Sequence, residues 1–397
     1  MKPKTIYVSY DGVLEPLGYS QIICYLKILS ENHDIILLSY EKKKDINIKN
    51  INHLKNELKN FNIKWHFLQY HRFPRLISTI YDIIKGLILL CLLIYKNKIV
   101  LLHTRSYIAS LIAVIVSFFY KFKFKFIFDM RGFWIDEKSD RSGLNNKSFT
   151  YNFFKKVEKL TMLKADTIVT LTHQSKNIII DNFPEIENSK IYVIPTCGDE
   201  EFFKPAKHSK IINKEMVFGY IGSIDTAYNI EKIISSFSKI ILQFSNAKLK
   251  ILTKNTNTRL EDLMQKYGVP PEKYLIKNVS RDRIINQINT IDFGIFYLNK
   301  NYSSAASFPT KIAEYLLCGK PIICNDFNND ITKIINENNL GIINEFNTKD
   351  HSKLIDFIKN NYYNEILSVK CREYAINNLS LQYGNSQYKK IYNKLLI

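Results

Sequence analysis

The chain has 397 residues, 46% of them apolar and 23% charged, and a formal net charge of +19. That length fits two domains better than one core, and that apolar share excludes a disordered chain. So basic a surface favours anionic partners, whether nucleic acid, a membrane face or phosphorylated substrates, and does not choose among them.

The cysteines stand at 24, 91, 197, 318, 324 and 371, with no Cys-x-x-Cys pair. They read as small buried apolar residues of a reducing compartment and argue against a metal site. The N-terminus runs straight into a strand, without the pattern of a signal peptide.

A strand over residues 5–9 leads into a loop, 11–18, that holds Gly12, Pro16 and Gly18, and then a helix from about 19 to 29. This opening is of the nucleotide-binding type but lacks the Gly-x-Gly-x-x-Gly fingerprint. Gly18 either lets a substrate approach the backbone or makes a tight turn. Further strands are predicted at 33–39, 63–69, 99–103, 124–129, 167–170 and 191–194, and helices at 51–60, 76–96, 107–119 and 150–164. Strands that are apolar throughout, separated by helices, predict a parallel sheet covered on both faces.

The longest apolar run, 87–95, is too short to span a bilayer. Together with residues 110–119 and the Lys/Phe alternation at 120–126, it forms either a surface that lies on anionic lipid or buried helix and strand.

In such sheets chemistry collects at the carboxyl ends of strands. Two predicted strands end in polar clusters, Leu102-His-Thr-Arg-Ser-Tyr107 and Phe128-Asp-Met-Arg-Gly-Phe-Trp-Ile-Asp136. His103 could orient a sugar hydroxyl or sense developing charge, and Arg105 or Arg131 could hold a phosphate in two-point fashion. Asp129 could fix Arg131 or His103. Each residue alone is equally well a local salt bridge or cap. Asp136, Glu137 and Asp140 add further charge, and 141–149 is expected to be a mobile loop. Periodicity breaks at 195–205, and the basic stretch 206–214 is the expected linker.

A second series follows, with strands at 216–221, 248–253, 274–279 and 291–297 and helices at 229–244, 259–267 and 281–288. Gly222 and Ser223 follow the first of these strands, and Lys254 stands at the exit of the second. Next comes a small polar loop from Ser304, with Pro309 placed for a first helical turn and a helix over 310–318. Gly319 suits a left-handed cap, Pro321 stops the helix, and a strand covers 321–324. Lys311 sits unfavourably at the positive end of that helix, which a bound phosphate would explain. Glu314, one turn on, could accept hydrogen bonds from a ribose diol, or the two form an ordinary Lys–Glu pair. Helices at 330–337, 350–360, 367–378 and 386–396 and a strand at 341–343 complete the chain.

In order and spacing, several stretches together resemble the retaining glycosyltransferases of family 4, of the bacterial surface-polysaccharide type, over nearly the whole chain. They are 12–21, His103-Thr-Arg-Ser-Tyr107, Phe128-Asp-Met-Arg-Gly-Phe-Trp134, Ile194-Pro-Thr-Cys-Gly-Asp199, Tyr220-Ile-Gly-Ser223 and Ser307-Phe-Pro-Thr-Lys-Ile-Ala-Glu314. The resemblance implies an α/β GT-B fold, two Rossmann-like domains facing a central cleft. Residues 1–203 would form the acceptor-side domain and 204–380 the nucleotide-sugar domain, with a helix over 381–397 that could cross back. It also implies transfer from a nucleotide-diphosphate sugar to a saccharide or lipid-linked acceptor, with no metal and no cofactor.

By the same resemblance, Glu314 would hold the ribose and Pro309, Thr310 and Lys311 would lie by the diphosphate. Gly222, Ser223 and Lys254 would line the donor side, approached by Gly18. His103, Asp129 and Arg131 would be catalytic, facing the acceptor and the transferred sugar, with Arg105 and Ser106 on the acceptor or phosphate side. The chain departs from the family at Ala306, where a glutamate usually meets the donor sugar, and in residues 223–229, which lack the usual arginine and lysine. The resemblance places such a protein in the cytoplasm, peripheral at the inner face of the membrane. The alternatives are a GT-B-fold nucleotide-sugar 2-epimerase and a non-enzymatic basic module binding nucleic acid or membrane. Nothing resembles a recognition helix, so nucleic acid is not an expected partner.

Overall fold

The apolar runs pair side by side, always in parallel. A computed structural model describes residues 2–120, 124–206, 215–224, 227–254, 258–345 and 351–396. Strands β1 (Lys4–Ser9), β2 (Asp34–Lys42), β3 (Lys64–Tyr70), β4 (Leu101–Arg105), β5 (Lys125–Asp129), β6 (Thr167–Thr170) and β7 (Ile191–Val193) form one sheet of order β3-β2-β1-β4-β5-β6-β7. Strands β8 (Met216–Ile221), β9 (Ala247–Leu252), β10 (Tyr274–Lys277), β11 (Phe293–Ile295), β12 (Ile322–Cys324) and β13 (Gly341–Ile343) form a second, of order β10-β9-β8-β11-β12-β13. Each sheet has its own compact unit. The first is Met1–Pro195 with Gly384–Ile397, and the second is Thr196–Tyr383.

Helices on both faces leave the central strands no water, so they are apolar along their length rather than alternating. Ile6, Tyr7 and Val8 of β1, Phe126 to Phe128 of β5 and Phe218 of β8 are all buried. In the first sheet the order turns back between β1 and β4, and in the second between β8 and β11. Beyond the carboxyl ends of such strand pairs an open crevice forms, where doubly wound sheets bind ligands.

Several local expectations need correction. The helix expected from residue 19 begins at Pro16, whose fixed φ suits a first turn, and includes one wide turn over Tyr19–Ile23. Two helices were not expected. Trp134–Ser142 takes up part of the presumed 141–149 loop, because Asp136 and Glu137 in its first turn suit the helix dipole although it has little apolar stripe. His173–Asn182 starts at Thr172, whose side chain accepts from the Ser175 N–H. Pro309 lies one residue before the helix Thr310–Leu317, in extended geometry. The linker residues 207–214, part of the Lys/Phe alternation (121–123), part of the 223–229 stretch (225–226) and the start of the 350–360 helix lie outside the described residues.

Candidate functional site

In the second unit, the helix Thr310–Leu317 starts behind a tight turn at Tyr302–Ala306. That turn is clamped from inside, where the Asn328 amide donates to the carbonyls of Ser304 and Ala305, each at 2.9 Å. Lys311 is 3% exposed. Among the described residues its Nζ has no hydrogen-bond partner. It lies 3.1 Å from the ring centroid of Tyr228, 4.5 Å from that of Tyr220 and 5.5 Å from that of Phe296. Beyond β8, Gly222 has φ +143°, and a Cβ there would stand 3.1 Å from Nζ. The bare backbone face of a glycine thus lies over the amine.

Burial pushes the Lys311 pKa well below its ordinary value, against the pull of Glu314. The Glu314 carboxyl is pushed up by burial, against Lys311 and Arg281. Two neighbouring groups, both biased toward their neutral forms, are not a surface ion pair. Perturbed groups of this kind mark a candidate ligand site.

Next to it, a cavity of about 310 Å³ opens at the carboxyl ends of β8 and β9. Gly222, Ser223, Thr253, Lys254, Val279 and Ile284 are among its walls. Its size suits a small ligand, with apolar walls and few polar groups. Five expected donor-side positions therefore gather on this face of the second unit, namely Gly222, Ser223, Lys254 and the pair Lys311 and Glu314. Thr310 is half-buried at the helix start, and Pro309 is buried behind it.

Gly18 belongs elsewhere. It lies in a helical turn with φ −61°, and a Cβ on it would fall 1.9 Å from the Gly12 carbonyl oxygen. Its missing side chain lets the loop pack on the helix, so the expectation that a ligand approaches there is corrected. The loop is held by Glu41, which accepts from the N–H groups of Val13 (2.9 Å) and Leu14 (3.0 Å) and from the Ser39 hydroxyl (2.6 Å). Glu41 escaped the sequence reading because β2 was ended at residue 39.

The two polar clusters of the first unit do meet, since β4 and β5 are neighbours with Arg105 opposite Asp129. Just past the strand ends Ser106 has φ +71° and Arg131 φ +60°. Side chains other than glycine rarely adopt that conformation, and such strain collects at functional sites. The Ser106 N–H donates to the Asp129 carbonyl at 2.8 Å. Gln21 joins both arginines, accepting from Arg105 Nη1 on its backbone oxygen at 3.4 Å and from Arg131 Nη2 on its side chain at 3.3 Å.

Asp129 is buried, accepts from the Tyr388 hydroxyl at 3.0 Å and stands 3.6 Å from Arg105 Nη1. Burial raises its pKa, but Arg131, His103 and Arg105 outweigh that and hold it below the ordinary 3.8.

His103 is 1% exposed. Its Nδ1 is 2.7 Å from the Tyr392 hydroxyl, and its ring packs against Tyr7 and Tyr388 at centroid distances of 4.4 and 5.4 Å. Its Nε2 stands 3.8 Å from Asp129, so in this structure every face of the imidazole meets protein groups of the first unit. It anchors the returning helix Leu381–Leu396, whose Tyr388 and Tyr392 stand one turn apart on the same face. That spacing is the sequence signal that would have found them. Asp136 is likewise structural, accepting from Tyr151 at 2.5 Å and pairing with Lys155 at 3.1 Å.

Burial also holds the pKa values of His33 and His103 below the ordinary 6.5. Near and below that value the unfolded chain binds protons that the native chain does not, so stability is full above pH 6.5 and falls as the pH drops. Both tryptophans, Trp65 and Trp134, lie in the first unit and report on it alone. We expect the urea midpoint followed by their fluorescence to fall between pH 7 and pH 5. A midpoint that stays level over this range would contradict the buried neutral imidazoles.

Residues 202–378 match the family described as glycosyl transferases group 1. A capsular polysaccharide biosynthesis glycosyltransferase, CapM of Staphylococcus aureus, is 24% identical over 333 residues, covering 80% of this chain and 83% of CapM. Among solved structures, a glycosyltransferase from Rickettsia africae superposes with a TM-score of 0.72 at 19% identity, over 100% of this chain and 99% of its own. Anabaena HepE in complex with UDP-glucose superposes with 0.68 at 12% identity, over 98% of this chain and 99% of its own. Two Rossmann-like α/β units with parallel sheets are the GT-B architecture, and the chain has that fold. It is a glycosyltransferase-like protein related to a bacterial capsular-polysaccharide enzyme.

Proposed function

We propose that the protein is a cytoplasmic, retaining glycosyltransferase of family 4. It moves a sugar from a nucleoside diphosphate to a saccharide or lipid-linked saccharide in surface-polysaccharide synthesis. The observation that carries this reading is the Lys311 amine, buried without a hydrogen-bond partner among the described residues, facing Gly222 and one turn from Glu314. CapM and the UDP-glucose complex of HepE support it.

The diphosphate lies at the start of the helix Thr310–Leu317, against Gly222. Lys311 takes up a proton as the anion arrives, and its charge is then matched. Glu314, ionised once Lys311 is charged, accepts from the ribose hydroxyls. The nucleobase enters the cavity beside Val279 and Ile284. In the first unit Arg105, Arg131 and the Ser106 turn serve the acceptor side, with Asp129 holding the arginines in place.

In the reaction the bond from the anomeric carbon to the diphosphate oxygen breaks as the acceptor oxygen bonds to the same face. The acceptor's proton passes to the departing diphosphate. The preorganised cation and helix start stabilise the charge that develops on the leaving group. Ala306 is fully buried and supplies no carboxylate to the sugar, so sugar recognition rests on other groups.

A titration of nucleoside diphosphates and their sugars, followed by transfer assays, tests the reading. Glu314→Ala is expected to weaken nucleotide binding about tenfold to a hundredfold, the worth of hydrogen bonds to a charged group. Unchanged affinity in the folded variant would remove the ribose assignment. A 2-epimer formed without any acceptor would replace transfer by epimerisation.

A further inference from the structure

The N-terminal half of the helix Arg75–Lys96 is built inside out, while its last turns bury Leu90, Leu93 and Ile94. A helix on the surface of a water-soluble fold turns its aliphatic residues inward and its polar ones outward. Here Ser78, Asp82 and Gly86 point into the first unit, and Asp82 is 0% exposed. The Asp82 carboxylate accepts from the Tyr10 hydroxyl at 3.0 Å and lies 2.6 Å from His71 Nδ1. Gly86 packs so close to Tyr40 that a Cβ would fall 2.0 Å from its hydroxyl. The opposite face carries Ile77 (67% exposed), Ile80, Ile84 (50%), Ile88 (59%) and Leu92 in one line. Tyr120 of the next helix donates to the Cys91 carbonyl at 3.0 Å. Phe118 and Phe119 of that helix are exposed as well, with Lys164 Nζ 5.8 Å from the Phe118 ring centroid.

We propose that this face docks the protein on an anionic lipid bilayer, with the helix lying in the plane of the interface. The segment is long and apolar enough to cross a membrane by length and composition. Its inward face is nevertheless bound to the sheet through Asp82 and Gly86, so only one side is free to enter lipid.

Charge selects lipid over another apolar partner. Arg72, Lys85, Lys96 and Lys98 are exposed around the line, whereas the only carboxylate of the helix is the buried Asp82. Basic residues beside an apolar face gain from anionic headgroups near the surface. Tyr81 and Tyr95 are exposed on the same side, where a ring with a polar tip suits the headgroup layer. None of this depends on the nucleotide site, which lies in the second unit.

The test is flotation of the full chain with vesicles of phosphatidylcholine alone, or of phosphatidylcholine and phosphatidylglycerol in equal parts. We expect flotation with the anionic vesicles, weakened by salt, and little with the neutral ones. Ile84→Glu and Ile88→Glu, on the exposed face, are each expected to lower partitioning by roughly tenfold or more, the worth of one aliphatic side chain. Their urea midpoints should match the parent chain. Lys96→Glu with Lys98→Glu should remove the preference for phosphatidylglycerol. Absence of flotation overturns the proposal, as does equal flotation with both lipids. A dimer that Ile84→Glu dissolves, in a chain that does not float, would give the face to a second copy instead.

Discussion

Replacing Lys311 by methionine is expected to stabilise the nucleotide-free second unit and to remove most of its affinity for a nucleoside diphosphate. Methionine has nearly the length of lysine and no group to desolvate. The native amine is enclosed by Tyr220, Tyr228 and Phe296 and makes no hydrogen bond among the described residues. An unsatisfied buried polar group costs about 1–3 kcal/mol, so the variant should gain an amount of that order. The gain should depend on pH. The native pKa lies below the ordinary 10.5, so in the window between them the unfolded chain binds a proton that the native one does not. Parent stability therefore rises with pH through this window, and the variant lacks that rise.

Nucleotide binding should run the other way, because the anion restores the charge on Lys311. The parent should take up a proton on binding, seen as a calorimetric enthalpy that changes with the buffer's heat of ionisation. The variant should show no uptake and a loss in affinity of about tenfold or more, as expected when a charge-assisted contact is removed. A destabilised variant that still binds normally would mean that Lys311 serves packing and not the ligand.

Asp129→Ala should be the most damaging single change in the first unit. Asp129 is the acceptor for Tyr388 and the counter-charge beside Arg105 and His103. Its removal leaves a buried guanidinium without its carboxylate, which typically costs about 3–5 kcal/mol. Tyr388→Phe removes one hydrogen bond and should cost only about 1 kcal/mol. Urea unfolding followed by tryptophan fluorescence isolates the effect, since both tryptophans belong to this unit. The Asp129 pKa is held below 3.8, so its contribution is present above that value and is lost as the pH falls through the native one. The gap between parent and variant should therefore narrow in strong acid. Equal midpoints at pH 7 would show that the cluster is solvated and does not hold the unit together.

Much of the architecture was legible in the sequence because parallel strands buried on both faces read as unbroken apolar runs, as at 35–38 and 126–128. The turn at Gly319 was legible too. Its φ of +69°, with Ser368 Oγ 2.4 Å from where a Cβ would lie, is a demand that glycine meets. The order of the strands was not legible, because it depends on which helices cross which face. Nor were the roles of Gly18 and His103. Sequence shows that a glycine follows a strand or that a histidine lies near its end, but not what stands over it. For Gly18 that is the carbonyl of Gly12, and for His103 it is Tyr392 from nearly three hundred positions away. Lys311 was legible in position but not in state, since its aromatic surroundings come from three separate segments.

The first unit is discontinuous in sequence, its last part being Gly384–Ile397. During translation that part leaves the ribosome only after every residue of Thr196–Tyr383 has emerged. Until then the sheet β1–β7 has Asp129 without Tyr388 and His103 without Tyr392. The N-terminal half therefore stays incompletely closed until this segment is free to join it. A chain truncated before residue 384 should carry a folded second unit and a protease-sensitive first one.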